Sequence, residues 1–125
     1  MKKALIGYTG FVGGNCNHNN YDALINSSNI SDFFNSSFDL IVIAAGDARK
    51  WYSNKYPKED IYHIRKLVSE IKKINAKKII LCSTIDIYDE NSVNEKNYSV
   101  KNHAYGINRY WMENEIKDNF RDLKI

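Results

Sequence analysis

Ala4-Leu5-Ile6-Gly7-Tyr8-Thr9-Gly10-Phe11-Val12-Gly13 begins as a short apolar run and passes, through three glycines spaced three apart, into residues that can start a helix. In a strand-turn-helix unit each glycine has its own reason. The first permits a tight turn, the second lets the backbone approach a pyrophosphate, and the third lets the helix pack closely on the strand. The amides of Gly10, Phe11 and Val12 are then expected to face phosphate oxygens. Gly7, Thr9, Gly10, Phe11, Val12 and Gly13 are the first candidate cofactor-binding residues. The helix should be short, because Gly14, Asn15, Asn17, Asn19 and Asn20 are poor helix formers.

Outward from this turn, three apolar runs stand out: Ala4 to Ile6, Leu40 to Ala45 and Ile79 to Cys82. They lack the apolar/polar alternation of a half-exposed strand and are rich in β-branched residues. Strands buried on both faces read this way, which implies a parallel sheet covered by helices. Ile61, Ile64, Leu67, Val68, Ile71 and Ile74 recur at spacings of three and four after Pro57 and Glu59-Asp60, predicting an amphipathic helix with acidic residues at its positive end. A last helix is expected from about Tyr105 to Asn119, with Tyr110, Trp111, Ile116 and Phe120 on apolar surface. The order of strands and helices gives right-handed βαβ units, an α/β, Rossmann-like, doubly wound sheet.

Only 25 residues separate Gly13 from Asp39. A weak strand, Tyr21 to Ile25, and a short helix, Ile30 to Phe34, fill that interval, so the third strand of a full dinucleotide fold has no room. The expected sheet runs Tyr21–Ile25, Ala4–Tyr8, Leu40–Ala45, Ile79–Cys82, and Asp122-Leu123-Lys124-Ile125 reads as the start of a further strand. At the end of the second strand an acidic residue would favour NAD and an arginine NADP. Asn26 and Ser27 stand there instead; they are candidate ribose contacts and leave the cofactor as NAD or NADP.

The chain has 125 residues, enough for one domain. Its 18 basic and 15 acidic side chains are interspersed, with no basic block, so nucleic acid is not an expected partner. No run of 18 apolar residues suggests a membrane span, and Met1-Lys2-Lys3 leads directly into a strand, so a cytoplasmic protein is expected. Cys16 and Cys82 fit a reducing compartment, Cys82 as a small buried thiol within its strand. His18, His63 and His103 share no metal-ligand spacing, and no metal site is expected.

Four fragments occur in one order across residues 4 to 113: Gly7-Tyr8-Thr9-Gly10-Phe11-Val12-Gly13, Asp39-Leu40-Ile41-Val42-Ile43-Ala44-Ala45-Gly46, Ser83-Thr84-Ile85-Asp86-Ile87-Tyr88 and Tyr105-Gly106-Ile107-Asn108-Arg109. Together they resemble the extended short-chain dehydrogenase/reductase family, the NAD-dependent epimerases and dehydratases that act on nucleotide sugars. The resemblance implies that Ala44, Ala45 and Gly46 lie along the cofactor and that Thr84 hydrogen-bonds the reacting substrate oxygen. It also makes Tyr105 the general acid/base, with a phenol that must ionise far below its ordinary range. Position 109, one helical turn after Tyr105, holds lysine in the family and arginine here. A guanidinium can still favour phenolate, but its planar fork cannot reproduce a lysine's contact with the nicotinamide ribose. Thr84, Tyr105 and Arg109 are thus the candidate catalytic set, and Tyr105 and Arg109 also count as cofactor contacts.

The resemblance implies that residues 1–125 form the NAD(P)-binding domain, without the substrate domain. It further implies a nucleotide-sugar substrate and a homodimer formed through the two long helices, while an unpaired sheet edge offers a second route to a dimer. Two other readings stand beside it: a non-catalytic NAD(P)-binding sensor or regulatory protein, and a truncated fragment of a longer enzyme.

Overall fold

Strand β1, Lys3–Ile6, lies one place in from the edge of a five-stranded parallel sheet. A computed structural model of the chain describes residues 1–45, 54–82, 104–119 and 123–124. After β1 come one turn of helix α1, Phe11–Gly14, strand β2, Ala23–Ile25, and strand β3, Ser37–Ile43. Helix α2, Pro57–Ile71, strand β4, Asn75–Leu81, helix α3, Ala104–Asn119, and strand β5, Leu123–Lys124, complete the order. The strands are arranged β2-β1-β3-β4-β5. The expected α/β doubly wound sheet is present, with its shortened first crossover: between β2 and β3 there is only a 3₁₀ turn, Ile30–Phe33.

The register explains the core. Ile6 pairs with Ile25 on one side and Ile43 on the other, and Ile43 in turn pairs with Leu81. Consecutive residues Ala4, Leu5 and Ile6 are all buried, as are Ile41, Val42 and Ile43. Burial of neighbours in a strand requires cover on both faces, because successive side chains point to opposite sides. Ile64, Val68 and Ile71 of α2, with Ile74 just beyond it, and Met112 and Ile116 of α3 join the same cluster.

Several boundaries differ from the sequence reading, each for a local reason. β1 ends at Ile6, short of Tyr8, because Gly7 adopts φ +90° and turns the chain out of the sheet. β4 begins at Asn75, earlier than Ile79, because Ser37 and Phe38 of β3 pair with Asn75 and Ala76 although exposed lysines follow. Cys82 is exposed and lies past the strand, a correction to its expected burial: the β3–β4 register ends at Ile43↔Leu81, and the Cys82 amide makes one last bond to the Ile43 carbonyl at 2.9 Å. On α3, Ile116 is buried and Trp111 packs against the core. Phe120 lies outside the described residues.

Candidate functional site

The carboxyl ends of β1, β2 and β3 open onto a cleft of about 530 Å³, walled on one side by α2. Ligands of open parallel sheets bind at such strand ends, where the chain crosses to either side. Of the residues singled out from the sequence, Gly7, Thr9, Gly10, Asn26, Ser27, Ala44 and Ala45 line it. Gly46 and Thr84 lie outside the described residues, and of Tyr105 only the backbone, in the first turn of α3, is described.

The three glycines separate by what surrounds them. A β-carbon on Gly7 would stand 2.6 Å from the Ala44 carbonyl oxygen, and one on Gly13 would run into the Gly7 carbonyl and reach 3.0 Å from the Tyr8 α-carbon. These two are glycine because the fold itself leaves no room. At Gly10 the nearest atoms would be 3.5 and 3.9 Å away, ordinary contact, and its φ of −80° suits any residue. Protein packing therefore does not explain Gly10.

The amide of Gly10 donates to the Gly7 carbonyl at 3.1 Å, so it tightens the turn. Phe11, Val12 and Gly13, the first three residues of α1, have amides without an intrahelical acceptor. With four residues α1 carries little macrodipole, and its contribution is these donors rather than a field. His18 braces the turn from behind, its Nε2 3.0 Å from the Gly13 carbonyl and its ring edge-on to Tyr8.

At the end of β2 the chain makes a locked turn. Asn26 Oδ1 accepts from the amides of Ser28 at 2.9 Å and Asn29 at 3.2 Å. Asn29 Oδ1 accepts from the Asn26 amide at 2.7 Å, and its Nδ2 donates to the Leu24 carbonyl at 2.9 Å. Side-chain bonds of this kind substitute for a further strand pairing.

Helix α2 supplies the wall that the sequence reading missed. Asp60, His63, Ile64, Lys66, Leu67 and Glu70 border the cleft. Their spacing was legible as a helical face, but nothing in it signals that this face borders a cleft. Asp60 is the largest surprise. Placed by sequence at the helix's positive end, it is 2 % exposed. Its Oδ2 accepts from Asn108 Nδ2 at 2.7 Å and lies 3.4 Å from the Arg109 guanidinium. Arg109 is likewise buried, so its charge is matched by a carboxylate of α2, and the carboxylate, unlike Arg109, is among the residues lining the cleft. Apolar periodicity carries no signal for a buried Asp-Asn-Arg set, because none of the three side chains is apolar.

Among the described residues no group of His, Cys, Asp and Glu side chains could hold a metal ion, and no helix is long and apolar enough to cross a membrane.

No family model and no curated protein sequence matches the chain. Solved structures do. dTDP-4-dehydrorhamnose reductase from Bacillus anthracis, in complex with NADP, superposes with a TM-score of 0.74 over 98% of this chain and 52% of that one, at 17% identity. The fold is the one these proteins share. The protein RMD from Pseudomonas aeruginosa, complexed with NADPH, gives 0.71 over 98% and 53%, at 14% identity. UDP-glucose 4-epimerase from Thermotoga maritima, with UDP-glucose, gives 0.69 over 94% and 50%, at 18% identity. The chain thus spans about half the length of the structures it matches.

Proposed function

We propose that this chain binds NAD or NADP in the cleft and is the cofactor half of an epimerase- or dehydratase-like oxidoreductase acting on a nucleotide sugar. The observation that carries the reading is the free space at Gly10, on a turn whose other two glycines are closed by packing. Gly7, Thr9 and Gly10 would hold the pyrophosphate with the Phe11 and Val12 amides, and Ala44 and Ala45 would let the cofactor lie close to β3. A bound nicotinamide supplies hydride exchange. Thr84 and Tyr105 would bind and exchange a proton with the substrate oxygen, and the substrate domain would come from outside residues 1–125. The test is calorimetry: NAD(H) or NADP(H) should bind the parent, and Gly10→Val should abolish binding while leaving the fold intact. Equal affinity in the two proteins would remove the reading.

The Asp60–Arg109 pair favours a second reading, a cofactor-binding sensor that does not turn over. A guanidinium already matched by a buried carboxylate has less field left for lowering the pKa of a phenol on the same helix than an unmatched cation would. Introducing Arg109→Lys and Asp60→Asn together, with the nucleotide-sugar-binding part supplied, should raise turnover if this pairing is the limiting defect. Self-association in the cytoplasm belongs to the same proposal: Tyr62 on α2 and Ile107 on α3 are 64% and 43% exposed, large apolar groups on the two helices expected to meet a second copy. Sedimentation showing only monomer at tens of micromolar would count against it.

A further inference from the structure

The turn after β2 and the face of α2 opposite it border the same cleft, and their polar groups differ from those of an NAD-selecting site. In that class of site a carboxylate at the end of the second strand accepts from the adenosine ribose, and the same carboxylate repels a 2′-phosphate. Residues 26–29 are Asn-Ser-Ser-Asn and carry no carboxylate. The Asn26 side-chain oxygen is spent on the amides of Ser28 and Asn29. Ser27 is exposed, and among the described residues neither its amide nor its hydroxyl has a hydrogen-bond partner, so the turn presents two donors to the cleft. From α2, Lys66 lines the same cleft, and its ammonium makes no ion pair among the described residues. Donors and an unmatched cation suit an anion.

Resting on the dinucleotide reading above, we propose that this cleft selects the 2′-phosphorylated dinucleotide, NADP(H), over NAD(H), with Lys66 and Ser27 as the partners of the 2′-phosphate. A phosphate monoester is close to doubly charged at neutral pH and makes charge-assisted hydrogen bonds that a ribose hydroxyl cannot. Glu70, one helical turn after Lys66, also lines the cleft and is the group that opposes this preference. Its carboxylate could instead accept from an unphosphorylated ribose.

Binding of NADPH and of NADH to the full chain, followed by quenching of tryptophan fluorescence or by calorimetry, tests this directly. NADPH should bind tighter by about tenfold or more at low ionic strength, and the ratio should shrink toward unity in high salt, as screening requires. Lys66→Ala should reduce the ratio severalfold with NADH affinity unchanged, and Lys66→Glu should invert it. Because Lys66 is exposed, neither substitution should disturb the fold. Equal affinities in the parent, a ratio indifferent to Lys66→Ala, or an NADH preference that disappears in Glu70→Gln would each overturn the inference while leaving dinucleotide binding intact. Binding of neither cofactor would remove the dinucleotide reading itself, and this inference with it.

Discussion

The two ends of the sheet are built on opposite plans. At the amino end, polar groups close on one another. Asp39 accepts the Lys2 amide at 2.7 Å and pairs with Lys77 at 3.3 Å, Asp22 accepts the Lys3 amide at 2.7 Å, and the Asn35 amide reaches the Lys73 carbonyl at 2.7 Å. The carboxyl end keeps small residues, an open cleft, and donors on Ser27 and at the start of α1, while its aspartate, Asp60, is buried between two helices. The difference shows where the fold closes its polar groups on one another and where it leaves donors beside a cleft. Polar groups that a fold buries find partners within the chain.

Asp60 is the sharpest point of that contrast. Asp60→Ala would leave a buried guanidinium without its carboxylate and should cost about 3–5 kcal/mol, read as a fall in the urea midpoint. Replacing both partners, Asp60→Leu with Arg109→Met, should recover most of the loss, since the penalty lies in the uncompensated charge. A double variant as unstable as the single one would mean that the hydrogen bond from Asn108 matters more than the ion pair.

Next in size is Gly13→Ala. Its β-carbon meets backbone on β1's turn, which cannot swing aside, and a loss of about 2–4 kcal/mol is expected. Gly10→Val provides the comparison within the same turn. Its cost in stability should stay within about 1 kcal/mol, yet dinucleotide binding should vanish. If both glycines behaved alike, the division between fold and ligand drawn from the free space around them would fail.

The smallest effect belongs to the amino end. The Lys2 amide hydrogen bond, and after it Lys77, hold the Asp39 carboxyl below its ordinary pKa. A pKa lowered on folding contributes stability that is complete above the unfolded value and is lost as pH falls through the folded one. The parent should therefore lose a small increment of stability below about pH 4, and Asp39→Asn should flatten that part of the profile. The side chain is open to solvent, so the increment should also shrink in salt.

Much of this architecture could be read from local signals. The runs at Ala4, Leu40 and Ile79 specify buried parallel strands, because adjacent apolar residues cannot all be covered unless both faces are. The 25 residues between Gly13 and Asp39 cannot hold another strand and helix, so the shortened crossover follows from chain length alone. The position of the glycine turn after β1 follows from glycine spacing in its strand-to-helix context. Less was legible where partners come from distant segments. β4 starts at Asn75 only because Ser37 is there to pair with it. Cys82 is exposed because the register with β3 has run out.

What the sequence by itself determined, then, is the order of the sheet and the place of its cleft, since both rest on short-range constraints: apolar runs, helical spacing and the backbone freedom of glycine. Tertiary structure alone decided that Arg109 is matched by Asp60 and that Lys66 comes to border the same cleft as Ser27. Those outcomes depend on how α2 lies against α3 and the strand ends. Charge and burial of that kind belong to pairs of residues 39 to 49 positions apart, a separation at which the one-dimensional pattern carries no signal.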